Sequence, residues 1–113
     1  FEEFYKSLQD EFSEIEIGYF QSNVEGELIN FLHEIGFSAD GIILNAGGYT
    51  HTSVALRDAV AAISAPVIEV HITNIYARED FRKQNLLAEV CAGAITGLGL
   101  EGYKLAIQYF LSE

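Results

Sequence analysis

Hydrophobic positions follow two periods along this chain, and the two periods alternate from one segment to the next. Four segments place apolar residues three or four positions apart, which is the spacing of one face of a helix. These segments are Phe1–Phe12, Val24–Ile35, Val54–Ile63 and Tyr103–Leu111. Shorter apolar runs between them predict strands. The strand segments are Ile15–Phe20, Ile42–Asn45, Pro66–His71 and Val90–Thr96.

Turn and cap residues separate these segments. Asn23 is a candidate N-cap of the second helix, and Gly36 is its natural stop. Thr52 or Ser53 is the candidate cap of the third helix. Because strand and helix alternate, the sequence predicts an α/β fold of right-handed βαβ units, with a parallel sheet covered by helices on both faces.

The composition is that of one folded domain, residues 1–113, with a strongly acidic balance. Half of the chain is hydrophobic, and eight Phe and six Tyr provide a core. The net charge of −11 argues against nucleic-acid and anionic membrane partners. No apolar run approaches the roughly 18 residues of a membrane span. One cysteine, Cys91, cannot form an internal disulfide, which predicts a cytoplasmic location. No pair of the three histidines has metal-ligand spacing.

The residues that suggest chemistry follow the ends of two predicted strands. Asn45 ends one strand, His51 lies in the loop after it, and His71 ends the next strand. A six-residue window beyond His71 holds half of the chain's six Lys and Arg: Arg78, Arg82 and Lys83. Because ligands of parallel sheets bind beyond the carboxyl ends of the strands, these groups predict a pocket for a small anionic substrate.

Each of these groups also has a structural interpretation, which the sequence leaves open. A histidine at a strand end or in a loop is often held by main-chain hydrogen bonds. The three cations also fit the solvated face of a short helix, paired with Glu79 and Asp80, although the acidity of the chain favours a ligand role for Arg82. Gly47 begins a glycine pair that fits a tight turn, or an approach of main-chain N–H groups to an anion. Asp58 fits an exposed ion pair with the neighbouring arginine.

Two long motifs carry a family resemblance. The first is NAGGYTHTSVALRDA, from Asn45 to Ala59, and the second is VIEVHITN followed by AREDFR, from Val67 to Arg82. Three further stretches fit the same pattern: Phe20–Asn23, Glu25–Ile29 and Gly93–Tyr103. The motifs, their order and their spacing resemble those of the type II 3-dehydroquinate dehydratases. The resemblance covers nearly the whole chain.

The resemblance implies a flavodoxin-like fold, a three-layer α/β sandwich with strand order 2-1-3-4-5, and assembly into trimers and then dodecamers. It implies a lyase of the shikimate pathway, active in aromatic amino acid biosynthesis, that dehydrates 3-dehydroquinate to 3-dehydroshikimate. The implied reaction is an anti elimination through an enolate. No metal and no organic cofactor is implied.

The resemblance also assigns roles to residues. His71 is implied to be the general acid that protonates the leaving hydroxyl, a task that suits imidazole because its reference pKa is about 6.5. Glu69, two residues earlier on the same strand face, is implied to orient it. The implied substrate-binding groups are Asn45, His51, Arg82, the main-chain N–H groups of Ile72 and Thr73, and Asp58 of a neighbouring subunit. Arg78 and Gly47 are implied to support the site.

One implied segment has no counterpart in these 113 residues. The family's first strand and mobile lid carry a Gly-Pro-Asn-Leu-Asn motif, an Arg and the Tyr that acts as base. That strand lies in the middle of the sheet, so its absence would leave two neighbours with unpaired backbone groups. We therefore expect the segment to be present as a separate piece, and we do not expect the 113 residues to complete the sheet alone. The alternative hypothesis is a non-catalytic relative that binds a small anionic polyol or only assembles.

Overall fold

Three short parallel strands lie at the centre of the structure, a computed structural model that describes residues 1–112. The strands are β1 (Ile42–Leu44), β2 (Val67–His71) and β3 (Gly93–Thr96). They lie in the order β1-β2-β3, with Ile42 opposite Val67 and His71 opposite Thr96. Every residue of β2 is buried, because this strand lies between two other strands and two layers of helices.

Four helices cover the two faces of this sheet. They are α1 (Glu2–Glu11), α2 (Glu25–Ile35), α3 (Val54–Ala62) and α4 (Glu101–Ser112). On one face, α2 and α3 pack against each other and against the strands around Leu56 and Val67. On the other face, α4 packs on β2 through Ala106, and α1 packs on α4 where Leu8 meets Ile107. The predicted α/β architecture with helices on both faces is therefore confirmed.

The helix ends agree in part with the predicted caps. Ser53 caps α3 with its side-chain oxygen, as one of the two candidates. Gly36 follows the last residue of α2, as predicted. A Cβ at this position would lie 2.3 Å from the side chain of Ile63, so a larger residue would clash. The prediction that Asn23 caps α2 is wrong. The cap residue is Val24, because the chain enters the helix one position later, in extended conformation and without a side-chain hydrogen bond.

The prediction of a strand over Ile15–Phe20 is also wrong, because these residues form no strand. A strand needs a neighbouring backbone ladder, and within residues 1–112 β1 pairs only with β2. Side chains hold the segment instead. Ile15 and Ile17 pack against the cluster of α1 and α4, and the hydroxyl of Tyr5 donates to the carbonyl of Ile17 at 2.8 Å. The alternating pattern therefore reflects side-chain packing without backbone pairing.

The last strand is shorter than predicted and lies less deeply buried than β2. β3 begins at Gly93 rather than Val90, Ala94 is exposed, and the other three residues of the strand are partly buried. Ala88–Val90 form a single turn of 3₁₀ helix before it. In the described part of the chain β3 pairs with β2 alone, so one of its edges has no neighbouring strand. The short strand is consistent with this edge position.

Candidate active site

A cavity of about 270 Å³ opens beyond the carboxyl ends of β1 and β2. Its lining residues are Asn45, Gly47, Gly48, His51, His71, Ile72, Thr73, Ile75, Arg78 and Arg82. The position is the one that parallel strands predict for a ligand site. Of the residues that the sequence assigned to a site, Glu69 lies behind the wall of the cavity and Asp58 lies away from it, on the exposed side of α3.

Glu69 and His71 form a buried pair on one face of β2. Their side chains are 0% and 5% exposed, and Nε2 of His71 lies 2.7 Å from Oε2 of Glu69. A carboxylate only accepts hydrogen bonds, so Nε2 carries the proton and donates it into this bond. The other ring nitrogen, Nδ1, is then the one available to a ligand in the cavity. The structure thus brings together the two residues that the sequence placed two positions apart on one strand face.

Asn85 holds the same carboxylate as a second partner. Its Nδ2 donates to both oxygens of Glu69, at 2.9 and 3.0 Å. A buried carboxylate is costly unless it is paired and hydrogen-bonded, and Asn85 supplies the donor that His71 alone does not. Sequence reasoning missed this residue. The buried acid inside an apolar strand is a signal that a donor must exist, but the sequence does not show which residue provides it.

His51 closes the 3₁₀ turn Gly47–His51 and is 6% exposed. Its Nδ1 lies 2.7 Å from the main-chain carbonyl oxygen of Gln84. A carbonyl oxygen only accepts, so Nδ1 carries the proton and Nε2 is left as the ring nitrogen available to a ligand. Both interpretations of this histidine therefore hold: it is held by the main chain, and it lines the cavity.

Asn45 is fixed at both ends of its amide. Its Nδ2 donates to the hydroxyl of Tyr103 at 2.9 Å, and its Oδ1 accepts from the main-chain N–H of Gly47 at 3.1 Å. Gly47 has φ +56°, in the left-handed region that glycine adopts without strain. A Cβ there would meet no atom within 4 Å, so conformation rather than space requires glycine. Tyr103 on α4 is a second residue that sequence reasoning missed at this site.

Two of the three clustered cations line the cavity. Arg78 and Arg82 do so, whereas Lys83 pairs with Asp80 across 3.4 Å. Glu79 contacts both arginines, with Oε2 2.6 Å from Nε of Arg82 and 3.8 Å from Nε of Arg78. A hydrogen bond from the main chain, and then Arg82, hold the pKa of Glu79 below its ordinary value. The ion pairs expected of a solvated helix face are therefore present. Arg78 and Arg82 also give the cavity a cationic wall.

Other candidate groups lie outside this cavity. The hydroxyl of Tyr49 donates to the carbonyl of Asn23 at 2.8 Å, and its ring does not line the site. Burial, and then the charge of Glu69, raise the pKa of the Cys91 thiol to about 12, so this thiol is neutral at ordinary pH. Within residues 1–112, no three His, Cys, Asp or Glu side chains are grouped so that they could hold a metal ion.

Comparison with known proteins identifies the family of this chain. The family model described as Dehydroquinase class II matches residues 1–111. The chain belongs to the class II dehydroquinases. In this dehydroquinase the family resemblance of the two motifs is therefore confirmed across nearly the whole sequence.

Curated relatives of this dehydroquinase are named 3-dehydroquinate dehydratase. The protein of Bacillus licheniformis is 61% identical over 97 residues, which are 86% of this chain and 67% of that protein. The protein of Bacillus subtilis is 54% identical over 99 residues, 88% of this chain and 67% of that protein. The protein of Campylobacter jejuni subsp. doylei is 57% identical over 93 residues, 82% of this chain and 58% of that protein. The chain spans 58–67% of the length of these relatives.

Two solved structures share the fold. The type II dehydroquinase from Butyrivibrio crossotus superposes with a TM-score of 0.92 at 41% identity, over 98% of this chain and 79% of that chain. The type II dehydroquinase from Propionibacterium acnes gives 0.93 at 30% identity, over 99% of this chain and 79% of that chain. The flavodoxin-like fold class expected from the sequence is confirmed. None of the helices described within residues 1–112 has the length and apolar character needed to cross a bilayer.

Proposed function

We propose that this chain carries the acid half of a 3-dehydroquinate dehydratase site. The reaction removes a proton next to the ketone, forms an enolate, and expels the C1 hydroxyl by anti elimination to give 3-dehydroshikimate. The observation that carries the proposal is the buried His71–Glu69 pair, which opens on a cavity with two arginines in a chain of net charge −11. A proton donor and a cationic wall together suit an anionic substrate whose hydroxyl is protonated and leaves as water.

In this proposal His71 is the general acid that protonates the leaving hydroxyl. Its Nε2–H is engaged by Glu69, so the proton is delivered from Nδ1, and the carboxylate stabilises the ring while it is protonated. Glu69 is a positioning residue, because it touches the ring and not the cavity. The pair is buried, so water does not compete for the same hydrogen bonds.

The remaining cavity residues bind the substrate. The carboxylate is taken by Asn45 and by the main-chain N–H groups of Ile72 and Thr73, which directly follow β2. His51 accepts a hydrogen bond from a ring hydroxyl at Nε2, and Arg82 binds a second hydroxyl. Arg78 supplies positive charge. Gly47 adopts the left-handed conformation of the turn beside Asn45. No metal or organic cofactor has a role in this proposal.

The base is proposed to be a Tyr from a segment outside these 113 residues, present as a separate piece together with an Arg and an Asn. Within residues 1–112, no tyrosine lines the cavity, and Tyr49 is turned toward Asn23. The 58–67% coverage of the curated relatives agrees with a further segment. The second candidate is a relative that binds a small anionic polyol without turnover, and it is favoured by the lack of a tyrosine from residues 1–112 in the cavity lining.

The proposed assembly is a homo-oligomer, a cytoplasmic dodecamer built from trimers, in which each single-domain chain completes a neighbour's site. Asp58 is exposed on α3 and lies away from its own cavity. Val54, one turn earlier on the same helix, is 60% exposed despite its apolar side chain. An acid and an apolar residue four positions apart share one helix face, and such a face fits a subunit contact.

The test is ultraviolet absorbance after 3-dehydroquinate is added to the protein preparation. The conjugated product absorbs where the substrate does not, so we expect absorbance to rise, and to stay flat with a His71→Ala variant. Absorbance that rises equally with His71→Ala would contradict the proposed acid. No change with the unsubstituted protein, together with heat released when the substrate is titrated in, would favour the binding candidate.

A further inference from the structure

Asn85 uses both ends of its side-chain amide in hydrogen bonds. Its Oδ1 accepts from the main-chain N–H groups of Leu87 and Ala88, at 2.9 and 3.0 Å. Because two N–H donors face that oxygen, the NH₂ group must point the other way, toward Glu69. The local turn therefore sets the amide so that it can only donate to the carboxylate.

The carboxylate of Glu69 has few other ways to keep its position. It is fully buried, and among residues 1–112 its side-chain hydrogen bonds go to His71 and Asn85. Asn85 contacts both oxygens, which fixes the carboxylate plane, whereas His71 contacts Oε2 alone. Without the two contacts from Asn85, the carboxylate could rotate about its side chain, and the ring of His71 would lose its fixed partner.

We propose that Asn85 is a positioning residue of the acid: it fixes the carboxylate plane of Glu69, and through it the ring of His71. The proposal rests on the proposed function for its link to turnover, but its structural half can be tested without turnover. Asn85 does not line the cavity, so it acts through Glu69 and not on the substrate.

Two variants separate this role from support of the turn. Asn85→Asp keeps an oxygen for the N–H groups of Leu87 and Ala88, but it replaces the N–H donors to Glu69 with a second carboxyl group. Asn85→Leu has a similar volume, adds no charge, and has neither the oxygen nor the donors. If Asn85 positions Glu69, the His71–Glu69 pair is impaired in both variants. If Asn85 only supports the turn, Asn85→Leu melts earlier but keeps this pair intact, and a loss confined to Asn85→Asp reflects the added carboxyl group. Thermal melts followed by circular dichroism show whether each variant folds.

The first readout is the ring proton of His71 in ¹⁵N-edited NMR spectra, assigned by its loss in His71→Asn. A proton held between Nε2 and a buried carboxylate exchanges slowly and resonates far downfield. We expect this signal in the unsubstituted protein and its loss in both variants. An unchanged signal in Asn85→Leu, or no such signal in the unsubstituted protein, would overturn the proposal. Neither result depends on turnover, so the outcome is distinct from a failure of the proposed function.

The second readout is a kinetic double-mutant cycle, measured with the enzyme that includes the proposed further segment. We expect Asn85→Leu to lower kcat about tenfold while KM changes less than about twofold, because the substrate contacts are untouched. In a Glu69→Gln background, the same substitution should lower kcat by less than about twofold. An equal loss in both backgrounds would show that Asn85 acts independently of Glu69, and would overturn the proposal.

Discussion

The ring of His51 and the main-chain carbonyl of Gln84 are joined by a hydrogen bond of 2.7 Å between Nδ1 and O. The next residue, Asn85, binds Glu69, and Glu69 binds His71. One short segment therefore orients both histidines of the cavity, although the two lie on different elements. Arg57 fastens this segment to α3 by donating from Nη1 to the carbonyl of Leu86 at 2.8 Å.

The bond from His51 leads to a prediction about binding. An asparagine at this position can still donate to the carbonyl of Gln84, but it lacks the second ring nitrogen. We expect His51→Asn to weaken substrate binding about threefold to tenfold, the effect of one hydrogen bond, with little change in stability. Isothermal titration of the substrate measures this. The matched control is His33→Asn, on the exposed face of α2, which should bind like the unsubstituted protein.

The buried pair leads to a prediction about turnover. Glu69→Gln keeps the shape of the side chain but removes the charge that stabilises a protonated His71. We expect kcat to fall by about tenfold or more, with KM within about threefold, because the acid is impaired and the substrate contacts remain. Steady-state absorbance kinetics measure both constants. Glu16→Gln is an exposed control that removes the same charge. A raised KM at unchanged kcat would show that Glu69 serves binding instead.

The neighbouring cations Arg82 and Lys83 provide a matched pair for a third prediction. Arg82 lines the cavity, whereas Lys83 does not. We expect Arg82→Ala to weaken substrate binding about tenfold or more, since a charge-assisted hydrogen bond is lost, and Lys83→Ala to change it less than about twofold. Equal losses in a binding titration would mean that only the general positive charge of this turn matters.

The hydrophobic patterns predicted the fold best where the apolar side chains are buried against a neighbouring element. β2 is a run of Val and Ile that is interrupted by Glu69 and ends at His71, and the structure places it at the centre with every residue buried. The helix predicted over Phe1–Phe12 is found as Glu2–Glu11 because its apolar stripe must face α4. The segment Ile15–Phe20 has an equally suitable alternation. Whether such a segment becomes a strand depends on a neighbouring strand, and a local pattern carries no information on that neighbour.

The same limit applies to the site. Asn45, His51 and His71 could be placed at one edge of the sheet because they follow the ends of parallel strands. Asn85 could not, because it reaches Glu69 from a turn 16 residues further along the chain, where no periodicity exists. Tyr103 reaches Asn45 across 58 residues from α4. Which polar side chains become partners depends on how loops and helices pack in the tertiary structure. Composition and residue spacing do not report that packing.

The thiol of Cys91 leads to a prediction about reactivity. Burial, and then the charge of Glu69, raise its pKa from an ordinary 9.0 to about 12, so the folded state holds the neutral thiol. We expect very slow reaction with a disulfide reagent at pH 8 in the folded protein, and fast reaction once guanidinium unfolds it. Rapid labelling of the folded protein would contradict this. The unfolded thiol ionises first, so this contribution to stability is present below pH 9 and is lost as pH rises toward 12.

The cap of α3 leads to a prediction about stability. Ser53 is 3% exposed, and its Oγ accepts from the main-chain N–H of Leu56 at 2.9 Å while its hydroxyl donates to the carboxylate of Glu25. One side chain thus caps α3 and ties the start of α2 to it. We expect Ser53→Ala to lower the free energy of unfolding by about 1–2 kcal/mol, since both bonds are lost.

Urea denaturation followed by circular dichroism measures this difference, and Ser13→Ala is the exposed control. The substitution Ser53→Thr should retain most of the stability, because threonine is also an N-cap residue with a hydroxyl donor. A Ser53→Ala midpoint equal to that of the control would show that water replaces the hydroxyl at both partners.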